Sequence, residues 1–252
     1  MSAYDAAADA WAGGPAAVYG RFAVAMLEHS PVPLAGAVVL DVGAGTAVAC
    51  DAAQAAGARQ AVATDVSVQM LRRRNPPTLA VVADAAHMPF GEDTFDLVMG
   101  GFCLGHLPDP GAALTEWRRV GPATVATAFA SGPAHPAKTA VDEAAVRFGF
   151  VSPPWYEELK NERETQVEDP DLLASLARSA GYREAVVTQL TVDAGVRTPA
   201  EIVSWRWGMA HLAPFIDGLP EPRRAEARRD AEDAVAGIGP VLVDIQVLSA
   251  VV

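Results

Sequence analysis

Apolar positions recur at helical spacing in the first thirty residues and then condense into short runs. Trp11, Val18, Phe22, Met26 and Leu27 predict helix over residues 5–29, broken at Gly13-Gly14-Pro15. From residue 37 the period changes. Ala37-Val38-Val39-Leu40 runs into Asp41, a glycine-rich turn and an Ala-rich helix over 47–56, which Gly57 is placed to stop. Ala61-Val62-Ala63-Thr64 ends at Asp65, and Ser67 stands as N-cap of a helix predicted through Arg74. Leu79 to Ala83 ends at Asp84, and Phe95 to Met99 ends at Gly100-Gly101. A fifth strand is predicted at 123–129, helices at 137–148 and 171–180, and a sixth strand at 184–192. Residues 198–236 read as helical and polar, and 241–251 as a closing strand. Short apolar runs separated by helices predict βαβ units and a parallel sheet. Acids at the strand ends matter, because open α/β sheets bind ligands just beyond those ends.

Composition narrows the choice of partner. Nineteen Lys and Arg against 31 Asp and Glu give a net charge of −12. That balance disfavours nucleic acid and anionic membrane surfaces. The chain is 51% hydrophobic, although its 51 alanines bury little area each. We read the Ala, Arg, Gly and Pro excess as coding bias. Cys50 and Cys103 form no disulfide framework and no zinc pattern. The first residues lack the basic start and apolar run of a secretory signal, and no apolar stretch reaches membrane-span length. A soluble protein of the reducing cytoplasm is expected.

The most informative stretch is Val38-Val39-Leu40-Asp41-Val42-Gly43-Ala44-Gly45-Thr46-Ala47. A glycine turn between strand and helix lets backbone approach a ligand, and the helix start offers free N–H groups. A dinucleotide fingerprint would place a third glycine at position 48, where Val48 stands. This counts against a nicotinamide oxidoreductase.

Here the sequence resembles the class I S-adenosylmethionine (SAM) dependent methyltransferases, whose loop reads V-L-D-x-G-x-G-T-G. The resemblance continues in order. Residues 83–98 are similar to the D-A-x-x-L-P-F-x-D-x-S-F-D-x-V block of the small-molecule branch, which includes quinone C-methyltransferases. Leu104-Gly105-His106-Leu107-Pro108-Asp109-Pro110 resembles the L-x-H-x-x-D-P segment after the fourth strand. Motifs cover roughly residues 4 to 130. Two departures stand out: Ala47 replaces the third glycine, where its small methyl stiffens the turn beside the cofactor's methionine moiety while the cofactor is still expected to fit, and Val120-Gly121-Pro122 shortens a turn often marked Gly-Gly.

The resemblance implies a single domain over 1–252: a Rossmann-like sheet of seven mostly parallel strands with an antiparallel last strand, helices on both faces and a helical cap. Residues 1–34 would form a helical lid and 198–236 a cap insertion, with 137–148 also roofing the site. It implies SAM as cofactor, held by Asp41, Gly43, Ala44 and Gly45 in the loop and by Asp65, on the ribose, with Val66 and Met70 beside it. Asp84 and Ala85 would meet the adenine, Gly100 would complete the floor, and Tyr4 would fold over the cofactor, as would Tyr19. His106 is the candidate base and His135 a second one. The aromatic stretch from Trp205 to His211, with Trp155-Tyr156, is a candidate acceptor wall or simple cap packing. Cys103 reads as apolar filler. No acidic cluster has metal-ligand spacing, so no metal is expected. Asn75-Pro76-Pro77-Thr78 superficially matches the N-P-P-Y motif of amino-methyltransferases, but it precedes the third strand and lacks the aromatic. Arg72-Arg73-Arg74 reads as a solvated helix end.

The expected activity is methyl transfer to the O, N or C atom of a small, partly apolar metabolite, in natural-product tailoring first and on quinone-like acceptors second. The alternative is a SAM-binding protein that promotes a cyclisation or rearrangement without methylating, suggested by Ala47. Nothing in the sequence speaks to oligomeric state.

Overall fold

The computed structural model describes residues 4–75 and 78–252. Seven strands form one sheet: β1 Val38–Val42, β2 Gln60–Asp65, β3 Leu79–Val82, β4 Leu97–Gly101, β5 Ala123–Phe129, β6 Glu184–Asp193 and β7 Leu242–Val251. The order across the sheet is β3-β2-β1-β4-β5-β7-β6. The pairs among β1 to β5 are parallel, while β7 runs antiparallel to both β5 and β6. Central β1 is buried along nearly its whole length, because a parallel strand covered by helices on both faces must be apolar on both. Its side chains alternate between two cores. Val39 joins the core that includes Val18, Phe22 and Trp205, and Leu40 joins the one that includes Leu114 and Trp117.

The helices before the sheet are α1 Ala8–Gly13 and α2 Pro15–Leu27. Within the sheet's first half lie α3 Val48–Ala55, α4 Val68–Leu71 and α5 Pro110–Val120. The amphipathic α5 buries Ala113, Leu114, Trp117 and Val120, and Asp109 caps it by accepting from the Ala112 N–H at 2.9 Å. Next come α6 Pro136–Arg147, α7 Pro154–Glu158 and α8 Pro170–Ser179. Between β6 and β7 lie α9 Pro199–Trp207, α10 Ala213–Gly218 and α11 Glu221–Ala234. Helix α9 packs against α1, α2, α6 and α11.

Several boundaries differ from the sequence reading. Helix α4 stops at Leu71 rather than Arg74, and the Pro76-Pro77 part of the apparent N-P-P motif lies outside the described residues. Phe95 precedes β4, while Gly100 and Gly101 are its last two residues. The 198–236 stretch is not uniformly polar: α9 buries Ile202, Val203, Trp205 and Trp207, and only α11 keeps a polar surface. Among the described residues no helix is long and apolar enough to cross a membrane, and no group of three or more His, Cys, Asp or Glu side chains could hold a metal ion.

The two glycines of β4 face opposite ways. A Cβ on Gly100 would lie 2.2 Å from the Trp117 ring, whereas one on Gly101 would meet nothing within 4 Å. Gly100→Ala is therefore expected to overpack the core and lower Tm by roughly 2–12 °C, with Gly101→Ala shifting it far less. Equal melting temperatures for the two variants would contradict this placement.

Candidate functional site

The turn between β1 and α3 is the site's foundation. Gly43, Gly45 and Ala47 all take positive φ, at 67°, 54° and 64°. At Gly43 only glycine fits, because a Cβ would come within 2.6 Å of the Cys103 sulfur. Ala47 holds a left-handed conformation that costs an L-residue about 1–2 kcal/mol. Its methyl is fully buried in the core and forms no part of the cavity wall.

Asp65, at the end of β2, fastens this turn. One carboxylate oxygen accepts from the Gly45 N–H (2.8 Å) and the other from the Ser67 N–H (2.7 Å). Ser67 caps α4 by accepting from the Met70 N–H (3.1 Å), and its hydroxyl donates to Asp5 (2.6 Å), which ties the N-terminal segment to the same corner. Burial raises the Asp65 pKa, opposed by these backbone donors. Past β3, Asp84 accepts from the Ala86 N–H at 2.9 Å.

These elements open onto a cavity of about 360 Å³, within the usual range for small-molecule sites. Its wall includes Asp41, Gly43, Ala44, Gly45, Asp65, Val66, Met70, Asp84 and Ala85. Aromatic side chains complete it: Tyr4, Trp11, Tyr19, Phe102, Trp155 and Tyr156, with His106 and His211, and Trp11 stands over the glycine turn, its Nε1 3.9 Å from where a Gly45 Cβ would lie. Of the residues singled out from the sequence, these reach the wall, as do Met209 and Ala210, whereas Trp205 and Trp207 of the same stretch are buried in the core and two expected site residues are also off the wall. Gly100 is turned away against Trp117, and Gly101 takes the wall position. His135 caps α6 through its Nδ1, which accepts from the Ala137 N–H at 3.2 Å, and lies off the wall. No residue of the expected 137–148 roof lines the cavity either.

Sequence reasoning missed Arg163, Leu159, Phe102 and Thr127. Leu159 and Arg163 bound a single π-helical turn that continues α7, where i→i+5 bonding re-aims side chains in a way no periodicity discloses. Arg163 donates to the His106 carbonyl (2.9 Å) and forks onto Glu158. For Gly101, strict strand alternation was the available signal.

His106 ends a short 3-10 turn, Leu104–His106, just beyond β4. Its Nδ1 lies 2.6 Å from the Tyr4 hydroxyl. Burial drives the imidazole pKa down to about 4, and the Arg163 and Lys160 charges act in the same direction. Burial raises Tyr4 far above its ordinary value, so the phenol stays protonated. The pair is therefore neutral at physiological pH.

Comparison with known proteins adds to this geometry. A family profile described as a methyltransferase domain matches residues 40–122. The demethylmenaquinone methyltransferase of Clavibacter sepedonicus is 33% identical over 180 residues, covering 65% of this chain and 72% of that one. The chain belongs to the class I SAM-dependent methyltransferase family. The ubiquinone/menaquinone biosynthesis C-methyltransferase of Cupriavidus pinatubonensis is 34% identical over 128 residues, covering 47% of this chain and 51% of that protein. The chain thus spans about half the length of that relative, and 37% of a Mycobacterium demethylmenaquinone methyltransferase. A solved structure from Anabaena variabilis, described as a methyltransferase from an antibiotic biosynthesis pathway, superposes with a TM-score of 0.63 at 14% identity, covering 92% of this chain and 97% of that one. The cyclase SpnF superposes at 0.54 with 18% identity, covering 92% of this chain and 80% of that one. Both show the fold.

The family's cofactor is SAM, and the donor set in this methyltransferase-family cavity fits it. Asp41 is 1% exposed on the wall, where it accepts from the Cys50 thiol at 3.6 Å and has no ion-pair partner among the described residues. Burial raises its pKa to about 7, which the Cys50 contact offsets only in part. Such a carboxyl lacks a cation, and SAM carries an ammonium and a sulfonium. Asp65 keeps lone pairs beyond those used by Gly45 and Ser67, enough to accept from ribose hydroxyls.

A pH dependence follows. A cation binds the ionised form of Asp41, so SAM affinity should hold steady just above pH 7. It should then weaken by up to about tenfold per unit as the pH falls towards 5.5, and Asp41→Asn should flatten that slope. Calorimetry showing a level wild-type profile between pH 5.5 and 7 would contradict the assignment.

Proposed function

We propose that the chain transfers a methyl group from SAM to an O, N or C atom of a small, partly apolar, planar metabolite. The observation that supports this most is one cavity lined both by the strand-end acids with the glycine turn and by aromatic rings, with the Tyr4–His106 pair on its wall. SAM supplies an electrophilic sulfonium methyl and leaves as S-adenosylhomocysteine. Asp41, the Gly43–Gly45 turn, Asp65, Val66, Met70, Asp84 and Ala85 hold the cofactor. The aromatic rings exclude water and align the acceptor, so that attack is a matter of orientation.

His106 takes the acceptor's proton. An imidazole of pKa about 4 cannot drain a proton from a resting hydroxyl at neutral pH. It can accept one from an oxygen or nitrogen that is becoming positively charged as it is methylated, because that proton is then strongly acidic. In this scheme Nδ1–H donates to the Tyr4 oxygen and fixes the ring, which leaves the Nε2 lone pair to take the proton. His135 has no part in this scheme.

Residues 1–252 act as one domain, with 1–34 as lid and 198–236 as cap. The packing of α9 on α1 and α2 supports this, as does the wall shared by Trp11 and Tyr19 with Met209 and His211. Quinone-type rings are the first acceptors to try, since the matching relatives are named for demethylmenaquinone and ubiquinone/menaquinone methylation. Hydroxylated aromatics of natural-product biosynthesis come next. The second reading is a SAM-binding protein that promotes a cyclisation or rearrangement without methylating, and SAM binding with no S-adenosylhomocysteine released would favour it.

The test is release of S-adenosylhomocysteine from SAM with reduced naphthoquinones and hydroxylated aromatics. His106→Ala should lower kcat by about 10²–10⁴-fold with SAM affinity kept, and wild-type kcat should be level from pH 5.5 to 8 on the base limb. SAM binding without homocysteine product from any acceptor would overturn methyl transfer. Unchanged kcat in His106→Ala would remove only the base.

A further inference from the structure

Away from the Tyr4–His106 pair, the polar side chains of the cavity wall that the methyl-transfer scheme does not use include Tyr19, Tyr156 and His211. Neither phenol oxygen nor either ring nitrogen of His211 has a hydrogen-bond partner among the described residues, and all face the cavity rather than being sealed in protein. The Trp205 and Trp207 indoles behind them, by contrast, are sealed and unpaired. Tyr156 and His211 stack face to face, with centroids 3.7 Å apart and planes 6° from parallel. Tyr19 is fixed by edge contacts with Phe22 (5.5 Å) and Phe102 (5.3 Å). The polar atoms are thus presented on rigid rings at a water-excluding wall, where an unmatched donor or acceptor is costly.

This polar end is joined to the reacting end by continuous aromatic contact. His106 meets Tyr4 at 5.6 Å between centroids, Tyr4 meets Trp155 at 5.9 Å, and Trp155 meets Tyr156 at 5.7 Å. A wall of this kind suits a flat ring. Among the described residues Arg163, the cation on the cavity wall, pairs with Glu158, and behind the wall Arg206 forks onto Asp142 at 2.9 and 2.7 Å, Lys160 pairs with Glu164 and Lys138 lies over the Phe129 and Trp205 rings. Tyr19, Tyr156 and His211 offer a ligand two phenol hydroxyls and an imidazole, on the wall they share with Trp11 and Trp155. Burial raises both phenols and lowers His211 to about 3, which keeps all three neutral.

We propose that Tyr19, Tyr156 and His211 form an acceptor subsite for an uncharged ring oxygen, a carbonyl or hydroxyl on a planar ring, and that the subsite discriminates against carboxylate and phosphate groups. Among the described lining residues a formal anion there would find donors but no cation without a carboxylate partner, and its desolvation would go uncompensated. A ring without oxygen would leave three buried polar groups unmatched, the situation that gives sites built on hydrogen bonds their selectivity. The subsite rests on the methyl-transfer reading, because it orients the ring whose far side faces Tyr4 and His106.

Calorimetry on the full chain loaded with S-adenosylhomocysteine tests it, with 1,4-naphthoquinone, naphthalene and 1-naphthoate as probes. Naphthoquinone should bind most tightly. Tyr19→Phe, Tyr156→Phe and His211→Phe, which keep the rings, should each weaken it by roughly 2- to 12-fold. Naphthalene should bind all three variants as it binds wild type, and S-adenosylhomocysteine should bind Tyr156→Phe and His211→Phe as it binds wild type, which also reports correct folding. Three separate variants guard against one that fails to fold. Absence of naphthoquinone binding, equal affinity for naphthalene, tighter binding of 1-naphthoate, or three Phe variants that hold naphthoquinone like wild type would each overturn the subsite. Failure of S-adenosylhomocysteine itself to bind would instead overturn the methyltransferase reading on which the subsite stands.

Discussion

The grip of the Asp65 carboxylate on two backbone N–H groups is the interaction on which the site depends. Gly43, Gly45 and Ala47 hold three left-handed conformations in five residues, and an L-alanine among them is unfavourable in isolation. Asp65 offsets part of that cost through charge-assisted bonds to Gly45 and Ser67, each worth about 1.5–3 kcal/mol. Since β2 lies beside β1 in parallel register, the bond joins the ends of two neighbouring strands. The glycine turn is thereby held open before any ligand arrives, and the buried acid remains available on its cavity side.

From that corner the remaining architecture follows outward. Ser67 passes the constraint to Asp5, and so to the segment that brings Tyr4 against His106. Cys103 packs beneath Gly43, which fixes the spacing between the glycine turn and the turn that carries His106. The helices between β6 and β7 add Met209, Ala210 and His211, and the π-helical turn adds Leu159 and Arg163. Cofactor side and acceptor side are thus built from different parts of the chain and meet in one cavity, lined both by the strand-end acids and by neutral aromatic surface.

Much of this was legible in the sequence where local pattern and global fold agree. Central strands β1, β2 and β5 are apolar on both faces, so their runs stand out, and Asp41, Asp65 and Asp84 mark the ends where an open parallel sheet binds ligands. Legibility failed where the answer depends on tertiary direction. Gly100 and Gly101 are chemically identical, and only strand parity separates the one under Trp117 from the one on the wall. His135 follows a strand as a catalytic residue might, yet its imidazole is spent on capping α6. The Ala47 methyl points into the core because of its positive φ, which sequence does not show. Residues 150–167 carry no periodic signal, and they supply Trp155, Tyr156, Leu159 and Arg163.

The central claim is that one preorganised corner receives the cofactor and places it between the strand-end acids and the Tyr4–His106 pair. A crystal structure of the chain with S-adenosylhomocysteine tests this most directly. The account predicts ribose hydroxyls on the Asp65 carboxylate, with Gly45 and Ser67 still bound to it, and the homocysteine amine towards Asp41. A nucleoside seated away from the β1–α3 turn, or an Asp65 that contacts no hydroxyl, would contradict it.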